Sequence, residues 1–180
     1  PIVNEQEAHV PLLVHLPDGP TGYSDAIAQP QDISATVLGI AGIDRPAAWV
    51  GRDLLAGDAD ADGGGRDLAL AGPSTVSWRG DPDQIVFSVF NREWYLNVTA
   101  DPSACRLFRY GSVEDVAAGY PAVVDEMREA GIEEAARRST DARLIDWLRS
   151  GGASAFPEAC TEWFGPSQWR TYWQRVYEEQ

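Results

Sequence analysis

Five short segments recur between residues 67 and 110: Asp67–Ala71, Thr75–Arg79, Ile85–Phe90, Trp94–Val98 and Arg106–Tyr110. Each is rich in β-branched or aromatic residues, and Gly, Pro, Asn or Asp separates one from the next. That spacing predicts a small antiparallel sheet. Within it Ile85, Phe87 and Val89 alternate onto one face, and Asn91-Arg92-Glu93 is placed to link two strands as a hairpin.

The flanks follow other rules. Val10–Leu16 is a continuous apolar run closed by Pro17-Asp18-Gly19-Pro20, the pattern of a buried strand in a parallel α/β sheet. Asp32–Gly42 reads as a helix, with Ile33, Val37, Ile40 and Ala41 on its packed face, Asp32 as cap and Gly42 as stop. From Gly51 to Gly65 the composition turns to Asp, Gly and Ala, as in a surface loop. The last third is helical. Ser112 caps a first helical segment, with Asp115 answering from the third position. Pro121 opens a helix whose Val123, Val124 and Met127 face inward and which Gly131 ends. Ser139 or Thr140 caps another, through Leu144, Ile145 and Leu148 to Gly151-Gly152. Trp169, Tyr172, Trp173 and Val176 then stand at helical spacing and read as a docking face. The expected organisation is a strand and helix in 1–56, an acidic Gly-rich linker in 57–66, a sheet with a helix in 67–138 and an aromatic helical tail in 139–180.

Charge limits the partners. Against 28 acidic residues stand 14 basic ones, every one of them Arg, for a net charge of -14. Such a field repels phosphate backbones and anionic lipid, which argues against nucleic-acid and membrane-surface binding. No apolar run approaches the ~20 residues of a bilayer span. With no signal in the chain shown a cytoplasmic location is slightly favoured, but the chain opens without Met, so its start, with any signal, is expected upstream.

Motifs for chemistry are scarce. Asp58-Ala-Asp60-Ala-Asp62-Gly63 resembles half of a calcium loop, but its twelfth position is Ala69 rather than Glu, so a solvated loop is expected. His9 and His15 have no third ligand at a sensible spacing. Cys105 and Cys160 fit no metal spacing and are expected to be free, partly buried thiols, though a disulfide between them is open. There is no G-x-S-x-G elbow, no Walker loop and no G-x-G-x-x-G, and Gly63-Gly64-Gly65 precedes no phosphate-binding helix. Asn97-Val98-Thr99 matches a glycosylation acceptor inside an expected strand. No catalytic, cofactor-binding or metal-ligating residue is therefore assigned.

Read as a connected string, the first half resembles the C-terminal part of sulfatases of the alkaline-phosphatase superfamily. Glu5–Val14 resembles the strand that follows the family's metal-binding segment and runs into V-P-L-I-V. Ser24–Leu38 is similar to a helix ending D-L-A-P-T-L-L, with Ala35 in place of the Pro. Gly42-Ile43-Asp44 and Gly51-Arg52-Asp53-Leu54-Leu55 resemble its continuation. Asn91–Leu96 and Arg106–Tyr110 resemble two later strands, with Tyr95 where Lys is common. The resemblance covers residues 5 to 130 and leaves out the tail.

It implies an α/β class: the C-terminal part of an alkaline-phosphatase-like domain, contributing one strand and one helix, then a small antiparallel sheet with packed helices. It implies a complete enzyme that hydrolyses small-molecule or glycan sulfate esters with a formylglycine nucleophile and a divalent metal, usually calcium. These groups belong to the upstream catalytic part of the same polypeptide, so this segment binds no cofactor and is inactive in isolation. A phosphodiesterase or phosphonate-monoester hydrolase of the same superfamily is the alternative, and a non-catalytic interaction domain docking through the aromatic tail is another.

The Lys-free acidic composition is what a salt-adapted or high-GC organism would encode, since dense carboxylates stay hydrated when salt screens their repulsion. Thermal unfolding of the purified chain should shift upward between low and molar salt; a flat or falling midpoint would remove this reading.

Overall fold

The structure, a computed structural model, describes residues 5–17, 19, 21–56, 66–72, 82–138 and 142–154. Helices and a small sheet are both present, and the chain divides into two compact units. One is continuous, Val10–Ala69; the other joins Pro1–His9 to Leu70–Gln180.

The discontinuous unit is built on a four-stranded sheet in the order β1 (Ala69–Ala71), β2 (Phe87–Phe90), β3 (Trp94–Val98) and β4 (Arg106–Arg109). The segment Thr75–Arg79 lies outside the described residues. β2 and β3 pair antiparallel with Phe87 opposite Val98 and Phe90 opposite Tyr95, and β3 pairs with β4 with Leu96 opposite Leu107. The link is the expected Asn91-Arg92-Glu93, where Asn91 Oδ1 accepts from the N–H groups of Glu93 (2.9 Å) and Trp94 (2.7 Å). Opposed residues share a face. Phe87, Val89, Leu96, Val98 and Leu107 therefore line one side, and Ser88, Phe90, Tyr95, Asn97 and Phe108 the other.

α3 (Pro121–Arg138) packs on the first of these sides, with Val124, Met127 and Ile132 buried. Pro121 opens it as expected, but Gly131 does not end it. A Cβ at Gly131 would lie 2.4 Å from Val89 Cγ2 and 3.1 Å from Phe87 Cε2, so the glycine is where helix and sheet come closest. Ser112 does not begin a helix either. Its hydroxyl accepts from the Glu114 N–H (3.1 Å), and Asp115 Oδ1 instead accepts from Leu107 N–H (3.1 Å) and Ala117 N–H (3.0 Å), holding the loop to β4.

α4 (Ala142–Arg149) buries Leu144, Ile145, Trp147 and Leu148. It stops at Gly151 and Gly152, whose φ angles of 67° and 82° suit glycine. The Arg128 guanidinium, on α3, donates from Nη2 to the carbonyls of Ala100 (2.9 Å) and Leu148 (2.6 Å), joining the far end of β3 to the end of α4.

In the continuous unit the expected helix is α2, Pro30–Ile40, ended by Gly42 at φ 66°. Its cap differs from expectation. Gln29 is the N-cap, and Asp32 answers from the third position by accepting the Gln29 N–H on Oδ2 at 2.7 Å. The packed face also differs: Asp32, Ala35 and Thr36 are buried, while Ile33, Val37 and Ile40 are exposed. The reason is the segment Gly51–Leu54. Asp32 Oδ1 accepts from Arg52 N–H (2.9 Å) and Arg66 Nη2 (2.6 Å), and Thr36 Oγ1 accepts from Leu54 N–H (2.9 Å). A Cβ at Gly51 would lie 2.2 Å from the Gln31 carbonyl oxygen, and one at Gly39 would strike the Asp53 carboxylate. Polar anchoring, not the apolar stripe, decides which side of α2 is covered.

Val10–Leu16 is not a strand here. No regular structure forms, Val10, Leu12, Leu13 and Val14 are exposed, and Leu13 reaches 93%. An apolar run becomes a strand only by pairing, and none of the described residues supplies a ladder to it.

Asp32→Ala would remove the buried 2.6 Å ion pair with Arg66 and would release two backbone donors. A loss of about 3–5 kcal/mol in the Val10–Ala69 unit is expected, the usual cost of breaking a buried pair from one side. Urea unfolding with amide exchange at Arg52 and Leu54 would measure it, and unchanged protection at both would contradict this account.

Candidate functional site

The residues singled out for chemistry do not assemble. His9 and His15 are both exposed and fall in different units. Among the described residues no group of three or more His, Cys, Asp or Glu is placed to hold a metal ion. Asp58–Gly63, Gly64, Gly65, Cys160 and the aromatic stripe Trp169, Tyr172, Trp173 and Val176 lie outside the described residues. Cys105 is a free, buried thiol; its Sγ accepts the Thr99 N–H at 3.5 Å. Asn97 is fully buried opposite Ser88 and accepts its hydroxyl at 2.6 Å, a geometry in which no glycan could be attached to the folded sheet.

Two clusters carry the remaining polar and aromatic density. The first forms at the turn after β4. Gly111, at φ 74°, turns its N–H toward α1 (Glu5–Ala8) and donates to Glu5 Oε2 at 2.6 Å. His9, just past α1, lies 6.0 Å from the Tyr110 ring, which is 6.2 Å from Tyr95. The Tyr110 hydroxyl donates to the Asn91 carbonyl. Burial, then the charge of Glu5, pushes the Tyr110 phenol up to about 12, and the same causes raise Tyr95. Both phenols are thus neutral hydrogen-bond donors at ordinary pH, and the Glu5 carboxylate is engaged by a backbone donor. The bonds of Glu5 and Tyr110 hold a chain segment to the turn, with the exposed imidazole of His9 at its edge.

The second cluster sits at the other face of the β3–β4 pair. The Arg109 guanidinium lies 4.1 Å above the Trp94 ring and 5.7 Å from that of Tyr120, while Trp94 and Tyr120 are 4.9 Å apart. Glu93 Oε1 accepts from Arg109 Nη1 at 3.0 Å, with both side chains about half exposed, at 59% and 49%. The cation covers the aromatic rings and is held by a carboxylate, which makes a sealed edge of the core.

Sequence reading located the strands behind both clusters but not their cross-links. Glu5 and Gly111 are 106 positions apart, and no local pattern marks such a pair. The one usable signal was Gly111 itself, a glycine directly after a strand.

The upward shift of Tyr110 sets a pH window. Its ordinary value is 10.0 and its folded value is about 12, so folding favours the neutral phenol; the stability it supports is complete below pH 10 and is lost as pH rises toward 12. Urea midpoints between pH 9 and 12, chosen to bracket this shift, should fall for the native chain and fall less for Tyr110→Phe. Equal slopes would dissociate Tyr110 from the alkaline transition. No protein-family model, curated protein or solved structure matches the chain.

Proposed function

We propose that the chain is the C-terminal part of a sulfatase-type hydrolase of the alkaline-phosphatase superfamily, acting on sulfate esters through residues that lie upstream in the same polypeptide. One observation carries the reading. Two of the stretches that resemble the family, Ser24–Leu38 and Gly51–Leu55, are joined to each other by Asp32 with Arg52 and by Thr36 with Leu54. Stretches that resemble successive parts of one family's sequence are thus also in contact within the Val10–Ala69 unit.

A second observation agrees. Val10–Leu16 and the Ile33, Val37 and Ile40 side of α2 are a strand-like run and a helix face, both apolar and both uncovered among the described residues. One strand and one helix of a larger α/β layer would leave that pair of surfaces when viewed without the rest of the sheet.

In the complete enzyme a formylglycine and a divalent metal would supply nucleophile and charge neutralisation, and no residue described here is assigned to hold either. The part left to this segment is architectural. It would contribute to the large sheet and carry a small sheet beside it, with Asp32 and Arg66 fixing the helix that follows the strand.

The test starts with the reading frame upstream of Pro1. A C/S-x-P-x-R motif and an N-terminal pair of Asp residues are expected there, and the complete polypeptide should hydrolyse p-nitrophenyl sulfate in preference to bis-p-nitrophenyl phosphate or a phenylphosphonate ester. A plain Thr or Ser nucleophile with the opposite preference would move the chain to the phosphodiesterase or phosphonate-hydrolase alternative. A frame without either nucleophile would end the catalytic reading.

A further inference from the structure

Val10–Leu16 holds no Asp, Glu or Arg, in a chain whose net charge is -14. Its backbone is as unpartnered as its side chains. Among the described residues no N–H of the run donates a hydrogen bond, and the one carbonyl that accepts is that of Leu16, from Gly19. Outward from Leu13 the sequence nearly mirrors itself: Leu12 and Val14 stand one step away, Pro11 and His15 two, Val10 and Leu16 three. Two such runs, antiparallel about a two-fold axis at Leu13, would set Leu12 against Val14 and Val10 against Leu16 in the pairs that exchange hydrogen bonds. Leu13 against Leu13 and Pro11 against His15 would then be the pairs that do not. Pro11, which has no N–H to give, falls where none is called for.

We propose that Val10–Leu16 is a docking strand for a second copy of this chain, the two copies pairing antiparallel about Leu13. Charge favours this register. The nearest acidic residues, Glu7 and Asp18, would stand opposite Gly19 and Ala8, so no carboxylate faces another across the pair. The pair is small. One strand falls short of the roughly 800 Å² per partner that a stable complex buries, and Ile33, Val37, Ile40 and Ile43, exposed in the same unit, are the further apolar surface it can draw on. Two acidic copies also repel, so association is weak in low salt and tightens as salt screens the charge. A larger sheet, where one is present, competes for the same run; the pairing belongs to the 180-residue chain and does not rest on the proposed function.

Sedimentation velocity on the 180-residue chain, across the micromolar range in low and molar salt, should show a monomer–dimer equilibrium that salt shifts toward dimer. Leu13 is 93% exposed, so substitutions there leave the fold intact. Leu13→Asp places two like charges on the axis and should raise the dissociation constant about tenfold or more. Leu13→Cys, on a Cys160→Ser background in which the buried Cys105 is the other thiol, should cross-link to itself on mild oxidation, since the paired Cα atoms would be about 4.5 Å apart. Leu12→Cys stands opposite Val14 and should cross-link far less. A dimer that Leu13→Asp leaves intact, or cross-linking no better at position 13 than at position 12, would overturn the pairing. So would a monomer under every condition: slow amide exchange at Leu12–Val14 would then give the run to another segment of the same chain, and fast exchange would leave it to a partner outside the chain.

Discussion

Arg128 is the constraint on which the larger unit depends. The residue is 9% exposed, and a cation withdrawn that far from water needs acceptors, which it finds at Nη2 though not at Nε, buried without a partner. Two backbone carbonyls provide them, at Ala100 and Leu148, and the second belongs to the last turn of α4, where the helix dipole favours positive charge. α3, the end of β3 and the end of α4 are therefore fixed to one point. Gly131, three residues after Arg128, removes the side chain that would otherwise keep α3 from the sheet, since any Cβ there would overlap Val89. Close approach and the buried cation work as a pair. Without the first, α3 could not lie near enough for the second to reach both carbonyls.

The smaller unit solves the same problem with the opposite charge. Asp32, 1% exposed, distributes its two carboxylate oxygens over Gln29 N–H, Arg52 N–H and the Arg66 guanidinium. A buried ionisable group in a protein read as part of an enzyme invites a catalytic interpretation. Here both oxygens already accept bonds, from the N-terminus of α2, from the segment that crosses it and from Arg66, and at 1% exposure the group is closed to solvent, so the charge orders the chain. The stretch that resembles a catalytic family thus acts within this unit through packing.

What the sequence revealed divides along the range of the forces involved. β2, β3 and β4, the Asn91–Glu93 hairpin, the start of α3 at Pro121 and the end of α4 at Gly151 were all legible, because alternation, turn residues and glycine conformations act over a few residues. Features set by distant partners were not. Gly131 reads locally as a stop, but its meaning comes from Val89 on another element. The Ile33–Val37–Ile40 stripe reads as the packed side of α2, but Asp32 and Thr36 find their partners 20 and 18 residues away and turn the helix over. Val10–Leu16 reads as a buried strand, yet strand formation belongs to the pair and not to the segment. The candidate site was least legible of all, since the Glu5–Gly111 bond leaves no local trace beyond the glycine that follows β4.

The split make-up of the larger unit bears on how the chain is made. Its first part, residues 1–9, leaves the ribosome long before its partner at Gly111, across a separation of 106 residues. At ordinary elongation rates that gap lasts roughly 5–20 s, during which the Val10–Ala69 unit can collapse while Glu5 and His9 wait unpaired. Closing so long a loop is also entropically slow compared with pairing β2 to β3 through a hairpin. The Glu5–Gly111 bond is thus among the last native contacts to form, and the unit stays open to proteolysis or to wrong partners at that end until synthesis has passed β4.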